Sequence, residues 1–206
     1  MGLSVNSAQE RPDHVAWLTE HAVPIRSIQF DDEDFSDLAP LKAAIGGSRV
    51  VLLGEQTHGD GACFAAKARL IRFLHNEMGF DVLAWESGMD EMRRVDRALV
   101  GGADVAECQR LGLFGIWSLS QQVRPLLDYV KASKATVRPL EMAGFDNQVT
   151  SDAGASPWPR EVVEFFDKAD PGLLTPQQRA APKEVFDWLA ALGGNDPPKR
   201  PEAVER

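Results

Sequence analysis

The sequence predicts an α/β fold with a parallel-type sheet core and flanking helices. Three apolar runs of strand length, at residues 49–53, 80–85 and 136–145, alternate with segments of helical periodicity. The order strand, helix, strand, helices, strand favours parallel pairing, because parallel strands need long crossovers that are usually helical. At 206 residues the chain is long enough for one sizeable core, with or without a helical extension.

The amino-terminal part has weaker signals, and we expect a lead-in with one short helix over residues 1–24. Asp13 is suited to cap that helix, because its side chain can accept from the first free backbone N–H groups. Weak alternation of apolar and polar residues predicts an extended segment or strand at 25–30. A helical stripe over 35–45 follows an acidic run, which suits the amino end of a helix.

The strand at 49–53 leads through a loop into a strongly amphipathic helix over about 62–78, which ends at Gly79. Lys67 lies on the predicted apolar face of this helix together with Cys63, Leu70, Ile71, Leu74 and Met78. Three polar residues are expected on its other faces: Arg69, Arg72 and Asn76.

Further helices are predicted between the second and third strands, at 89–100, 103–111 and 118–133; the last begins at Arg124 or Pro125 if proline takes the first turn. We expect residues 25–150 to form the α/β core. A turn-rich linker and two helices then make a helical extension at 151–193. The tail, 194–206, is rich in proline and charge, which is typical of disorder.

The composition is typical of an acidic soluble protein. The formal charge of −9 argues against a nucleic-acid partner, because phosphate binding needs a basic surface. Cys63 and Cys108 have no paired spacing, so a disulfide framework and a zinc knuckle are not indicated. No signal peptide and no apolar run of membrane-spanning length is present, and the expected location is cytoplasmic.

Acidic residues stand at the carboxyl ends of all three predicted strands: Glu55, Glu86 and Asp146. The carboxyl ends of parallel strands lie along one edge of a sheet, about 4.8 Å apart between neighbours, so the three carboxylates should reach one small ligand. One acid in such a position is more often a helix cap or a surface charge. Three of them beside His58 favour a site.

His58 lies three residues after Glu55 in a loop that contains glycines, which favours a functional imidazole over a structural one. Glu55 or Glu86 could fix the ring tautomer, and the other ring nitrogen would then take a proton from water. Lys67 either extends into solvent or reaches the same edge, where its ammonium would keep the carboxylates ionised and polarise a substrate oxygen. No serine-nucleophile elbow, phosphate loop or metal-ligand spacing of histidines is present, so no metal is expected.

These motifs are similar to those of a known family. The run Gly54-Glu55-Gln56-Thr57-His58-Gly59, then Lys67, Arg69-Leu70, Met78-Gly79-Phe80 and Trp85-Glu86, resembles the amino-terminal half of the erythromycin esterase-like family. The later run Gly144-Phe145-Asp146-Asn147-Gln148 resembles the end of that family's third strand. The resemblance covers residues 35–150.

The resemblance implies a hydrolase in which water attacks the carbonyl of an ester or macrolide lactone, without an obligatory metal or other cofactor. Hydrolysis of a macrolide would inactivate an antibiotic, so the resemblance also implies a role in antibiotic resistance. His58 would be the general base, and Glu55 and Glu86 would position the histidine or the water. Lys67 stands where the family commonly has an arginine, and it completes the expected catalytic group. The expected substrate-binding residues are Thr57, Asp146 and Gln148.

The chain departs from the family pattern in two places and in length. Ala62 and Cys63 stand where the family usually has a Glu-Phe pair, and Lys67 lacks the planar bidentate geometry of arginine. Family members are longer, and their carboxyl-terminal half brings further strands and another active-site histidine, whereas no histidine follows His75 here. We therefore expect an incomplete version of a larger α/β domain, either a truncated product or a short paralogue.

Two other functions stay open on the sequence alone. Glutamate and histidine at a strand end also serve as ligands in haem-binding and metalloprotease-like relatives, so the chain could be a haem- or metal-binding module. It could also be a catalytically inactive remnant whose exposed sheet edge pairs with another chain. Expected partners are a small ester or lactone, and either a second copy of the chain or a missing carboxyl-terminal half; no nucleic acid and no membrane is expected.

Overall fold

The computed structural model describes residues 12–147, 158–191 and 199–201. The predicted disordered start, most of the predicted linker and most of the predicted tail lie outside those residues. The chain is a mixed α/β protein that forms two compact units, Met1–Gly79 and Phe80–Arg206. Within the described ranges, no helix combines the length and the apolar character needed to cross a membrane.

The first unit is built from helices and long irregular connections. Helix α1 covers Pro12–His21, a 3-10 turn at Ser36–Leu38 runs into helix α2 at Ala39–Ile45, and helix α3 covers Gly61–Met78. The prediction of a helix over 35–45 is confirmed. It ends at Gly46, whose φ of 55° is a left-handed value that residues with a side chain rarely adopt.

Helix α3 has a clear signal at each end. Asp60 caps its start, because its carboxylate accepts from the N–H groups of Ala62 and Cys63. Gly79 ends it in the left-handed conformation, with φ of 78°, and its N–H donates to the carbonyl of Leu74. The helix predicted at 62–78 is therefore confirmed to within one residue.

Of the two alternatives predicted at 25–30, a strand or an extended segment, the strand is wrong, and side chains of α3 bind part of the backbone of this segment. Arg69 donates to the carbonyl of Ser27 at 2.8 Å, and Arg72 donates to the carbonyl of Phe30 at 2.9 Å. The N–H of Arg26 donates to the Asp37 carboxylate at 2.9 Å. The segment is an irregular loop held by charged side chains.

The strand predicted at 49–53 is also wrong. The segment has no regular secondary structure, and two of its apolar side chains face solvent, with Val50 72% and Leu52 89% exposed. The apolar run indicated a segment that favours burial, but it carried no information about a neighbouring strand. Glu55 therefore follows an irregular segment and not a sheet strand.

The second unit contains a parallel pair of strands, β1 at Val82–Gly88 and β2 at Glu141–Asp146. Four helices lie between them in the chain: α4 at Met89–Val100, α5 at Val105–Gly112, α6 at Gly115–Ser118 and α7 at Arg124–Ser133. Two more helices follow, α8 at Trp158–Ala169 and α9 at Pro176–Ala191. Parallel pairing through a helical crossover agrees with the predicted class, with two of the three predicted strands in the described sheet.

Helix α4 supplies much of the core of this unit by packing on both strands. Its fully buried residues recur at helical spacing: Met92, Val95 and Leu99. The Asp96 carboxylate on the same helix accepts from the N–H of Met142 in β2 at 2.8 Å. Asp96 also forms a short ion pair with Lys134.

Strand β2 begins later than the prediction of 136–145. Pro139 has no N–H for a ladder. The Leu140 N–H donates to the Ser133 hydroxyl at 3.0 Å, and its carbonyl accepts from Lys134 at 2.7 Å. Side chains therefore take the place of a partner strand up to Glu141.

Candidate functional site

A single carboxylate, that of Glu55, joins two of the predicted catalytic side chains. His58 Nδ1 lies 2.8 Å from Glu55 Oε1. The Lys67 ammonium donates to the other oxygen, Oε2, in a short contact. The structure therefore brings Glu55, His58 and Lys67 together as a hydrogen-bonded triad in the first unit, with one of the two partners on each carboxylate oxygen.

The three side chains differ in how far they reach solvent. The Glu55 side chain is 7% exposed and that of Lys67 is 16% exposed, whereas the His58 side chain is 59% exposed. A buried carboxylate needs charged or hydrogen-bonding partners to offset its loss of hydration, and both oxygens of Glu55 have one. The imidazole is thus the solvent-facing member of the triad.

Two chain segments supply the triad. Glu55 and His58 belong to the irregular loop before α3, and Lys67 lies in the second turn of that helix. Asp60 stands at the junction as the cap of α3. Lys67 Nζ also lies 5.9 Å from the ring centroid of buried Phe64, one turn earlier, a distance that suits a cation–π contact. The ammonium is therefore held between a carboxylate and an aromatic face, and not extended into solvent.

Arg69 anchors the same helix from its buried side. Its guanidinium forms a bidentate pair with Asp37, with N···O distances of 2.9 Å and 2.8 Å. The Arg69 side chain is 1% exposed and that of Asp37 is 6% exposed. The guanidinium hydrogen bonds hold the pKa of the Asp37 carboxyl well below its usual range.

Arg69 corrects the predicted orientation of α3. The apolar face was expected to exclude Arg69, yet this residue is among the most buried of the helix, beside Phe64, Ala68 and Phe73. The helical spacing of the apolar residues alone puts Arg69 on another face. The loop around Asp37 supplies the acceptors that make its burial possible.

In the second unit, Glu86 and Asp146 lie at the carboxyl ends of the paired strands. Trp85 is opposite Gly144 and Gly88 is opposite Asp146, with a register shift in between. Glu86 is thus in the last part of β1, and not in a turn after it. Such irregularities often redirect a side chain near a functional site.

Hydrogen bonds hold this end of β1 in place. The Trp117 indole donates to the carbonyl of Glu86 at 3.4 Å. The hydroxyl of Ser87, which is fully buried, accepts from the N–H of Phe114 at 3.1 Å. The side chain of Glu86 is directed to solvent.

The remaining predicted site residues are placed as follows. Thr57 is exposed in the loop between Glu55 and His58. Asp146 is half-buried, and Gln148 lies outside the described residues. Over residues 12–147, 158–191 and 199–201, no set of three or more histidine, cysteine, aspartate and glutamate side chains is arranged to hold a metal ion.

Sequence reasoning missed Asp60 and Arg69. Asp60 had a usable signal, because an aspartate immediately before a helical stripe is a standard cap. Arg69 had none in its own neighbourhood, since its partner Asp37 lies thirty-two residues earlier in the chain.

Comparison with known proteins shows which proteins this chain resembles. The family model described as Erythromycin esterase matches residues 75–202. YbfO of Bacillus subtilis, a protein named as a hydrolase, is 32% identical over 162 residues, which are 77% of this chain and 35% of that protein. Erythromycin esterase type II of Escherichia coli is 31% identical over 161 residues, 77% of this chain and 37% of that protein.

A solved structure of a Bacillus cereus protein has the same fold over most of the chain. The TM-score is 0.66 at 24% identity, and the match covers 86% of this chain and 42% of that one. This match agrees with the α/β class of the fold. The chain belongs to the erythromycin esterase family. It spans just over a third of the length of the two curated relatives, at 35% and 37%.

Proposed function

We propose that this chain carries the water-activating part of a hydrolase that cleaves a carboxylic ester or a macrolide lactone. The observation that carries the proposal is the Glu55 carboxylate, which binds His58 Nδ1 through one oxygen and the Lys67 ammonium through the other. A solvent-facing imidazole oriented by a buried carboxylate is well suited to act as a general base.

The geometry supports a definite proton path. Carboxylate oxygens only accept, so the hydrogen of a neutral imidazole is on Nδ1, and Nε2 is the basic nitrogen. Nε2 takes a proton from water as the water oxygen forms a bond to the carbonyl carbon. The tetrahedral intermediate then expels the alcohol oxygen, which receives that proton from the imidazolium. The products are an acid and an alcohol, so one molecule of water is added in all.

The other predicted residues have supporting roles in this proposal. These are the roles that the resemblance implies: Glu86 positions the attacking water, and Thr57, Asp146 and Gln148 bind the substrate. The name of the Escherichia coli relative supports a macrolide lactone as the first substrate to test, and the name of the Bacillus subtilis relative supports hydrolysis in general.

The test is mass spectrometry of erythromycin and a panel of simple esters after incubation with purified variants. With the wild type, the products of at least one substrate should together have the mass of that substrate plus one water. His58→Ala should lose about 10²–10⁴-fold in rate, the usual contribution of a general base. Glu86→Gln should also be strongly impaired.

A second histidine provides a matched control. His21 lies in α1, and its Nδ1 is 2.8 Å from the carbonyl of Trp17, so His21→Ala should keep the wild-type rate. Equal rates for His58→Ala and the wild type would contradict the mechanism. If a folded wild type converts neither erythromycin nor any of the esters, the proposed function fails.

A further inference from the structure

We infer that Asp60 is a positioning residue for the proposed reaction, because its cap fixes the imidazole of His58 relative to the ammonium of Lys67. This inference rests on the proposed function and adds to it a residue that does not touch the substrate. The reason is the position of Asp60, which lies between the loop that carries Glu55 and His58 and the helix that carries Lys67.

Asp60 makes three hydrogen bonds to the first turn of α3. Its Oδ1 accepts from the N–H of Ala62 at 2.9 Å and from the N–H of Cys63 at 3.2 Å. Its carbonyl accepts from the N–H of Phe64 at 3.1 Å. The backbone of Asp60 is extended, with φ of −89° and ψ of 97°, so the chain changes direction at this residue.

The neighbours of Asp60 do not fix this junction themselves. Gly59 and Gly61 flank it, and a Cβ at Gly59 would meet no atom within 4 Å. Glycine leaves the backbone free to adopt many conformations, so neither neighbour orients the junction through a side chain of its own. The direction in which the loop leaves α3 therefore depends on the Asp60 carboxylate.

This junction separates the two partners of Glu55. His58 lies two residues before Asp60, and Lys67 lies seven residues after it. Loss of the cap would allow the first turn of α3 to fray, because its N–H groups would need other acceptors. Glu55 would then no longer hold His58 and Lys67 in one arrangement. A displacement of about 1 Å in a catalytic group can cost on the order of 10²-fold in rate.

The chain offers a matched control in the cap of α5. Asp104 accepts from the N–H groups of Ala106 at 2.8 Å and Glu107 at 3.3 Å, which is the same arrangement. Asp104 lies in the second unit, away in sequence from the triad segments. Asp104→Ala removes a cap of the same kind without touching the junction between His58 and Lys67.

The experiment compares Asp60→Ala, Asp60→Asn and Asp104→Ala in the full chain by kcat, KM and melting temperature. Both alanine variants should melt at a lower temperature than the wild type. Only Asp60→Ala should lose kcat, by about tenfold or more, with KM within about twofold. Asp60→Asn should restore most of that kcat, because asparagine caps about as well as aspartate.

A second measurement reports on position without turnover. In nitrogen-15 NMR spectra, the ring signals of His58 should move in Asp60→Ala and stay at wild-type values in Asp104→Ala. Wild-type kcat in Asp60→Ala, or equal losses in Asp60→Asn and Asp60→Ala, would overturn the inference. If the wild type shows no turnover, the proposed function fails, and unchanged His58 ring signals in Asp60→Ala would overturn the positioning role as well.

Discussion

Asp37 and Arg69 form a bidentate ion pair from which solvent is almost excluded, with the two side chains 6% and 1% exposed. Arg69 lies on the same helix as Lys67, two residues further along. The guanidinium also donates to the carbonyls of Ser27 and Asp34, at 2.8 Å and 2.7 Å. One buried arginine thus ties the helix that carries part of the candidate site to the loop before it.

Asp37→Ala should destabilise the protein strongly, because it leaves the Arg69 guanidinium buried without its carboxylate. We expect the free energy of unfolding, measured by urea denaturation, to fall by about 3–5 kcal/mol. The matched control is Glu33→Ala. The Glu33 carboxylate pairs with Arg72 but is 74% exposed, so its loss should cost about 1 kcal/mol or less. Similar losses in both variants would show that burial does not set the strength of the Asp37 pair.

The Asp37–Arg69 pair should also affect how the free energy of unfolding changes at acidic pH. Arg69 lowers the pKa of Asp37 in the folded protein, so the unfolded chain binds the proton more tightly. The contribution of the pair is therefore complete above the unfolded pKa of about 3.9 and is lost as the pH falls toward the lower folded pKa. The gap in unfolding free energy between the wild type and Asp37→Asn should stay constant from about pH 7 to 5 and shrink below about pH 4. A gap that stays constant in urea titrations at lower pH would contradict this linkage.

Gly144→Ala should disrupt the parallel strand pair. A Cβ at Gly144 would lie 2.4 Å from the carbonyl oxygens of both Ser87 and Gly88, and these are backbone atoms that cannot move aside alone. We expect a loss of about 3 kcal/mol in unfolding free energy, the upper end of ordinary overpacking costs. In Gly115→Ala the nearest atom to the new Cβ is 4.0 Å away, so this variant should be close to wild type. Equal stability of the two variants would argue against the close approach of β1 and β2 at this position.

Two buried tryptophans provide a test of hydrogen bonding in the second unit. The ring centroids of Trp85 and Trp117 are 6.1 Å apart, and the two residues are similarly buried. The indole N–H of Trp117 donates to the carbonyl of Glu86, whereas the buried N–H of Trp85 has no acceptor among the described residues. Trp→Phe removes the same atoms at both sites, so the hydrogen bond is the main difference.

Trp117→Phe should therefore cost more than Trp85→Phe, by about 1 kcal/mol or more, because it leaves the Glu86 carbonyl without that donor. Urea denaturation of both single variants measures this difference directly. A larger loss for Trp85→Phe would mean that its indole N–H has a partner in solution, such as a bound water.

Local signals predicted most helices but not the contacts that surround the candidate site. The spacing of apolar residues and the glycine at position 79 located α3, because these signals lie within the helix itself. The apolar run around Val50 and Leu52 predicts a strand, but this segment is exposed, because an apolar run favours burial without specifying a neighbouring strand. Burial of Arg69 depends on a loop thirty-two or more residues away, which no short window contains.

In the candidate site, too, the contact within one loop could be predicted from the sequence, whereas the contact between two segments could not. The spacing of Glu55 and His58 in one loop predicted that they could meet, and their side chains are hydrogen-bonded. The Lys67 contact required the path of the chain between the loop and α3, which depends on the cap at Asp60. The meeting of Glu86 and Asp146 with this triad stays a prediction, because these residues belong to the other compact unit.

Lys67 should act through Glu55, because its ammonium binds Glu55 Oε2 in the buried part of the triad. Lys67→Met keeps much of the side-chain volume but removes the donor, so the carboxylate that orients His58 loses a charged partner. We expect kcat for ester hydrolysis to fall on the order of 10²-fold, as for a misplaced catalytic group, with a smaller change in KM.

Lys67→Arg is the matched variant, because arginine retains the positive charge and can donate to a carboxylate through two N–H groups. It should retain far more of the wild-type kcat than Lys67→Met, as measured in the same hydrolysis assay on folded protein. If Lys67→Met keeps the wild-type kcat and raises only KM, the ammonium serves substrate binding instead of holding the Glu55 carboxylate. If both variants are equally inactive, the compact ammonium itself is required, and neither positive charge nor hydrogen bonding to Glu55 alone explains the role of Lys67.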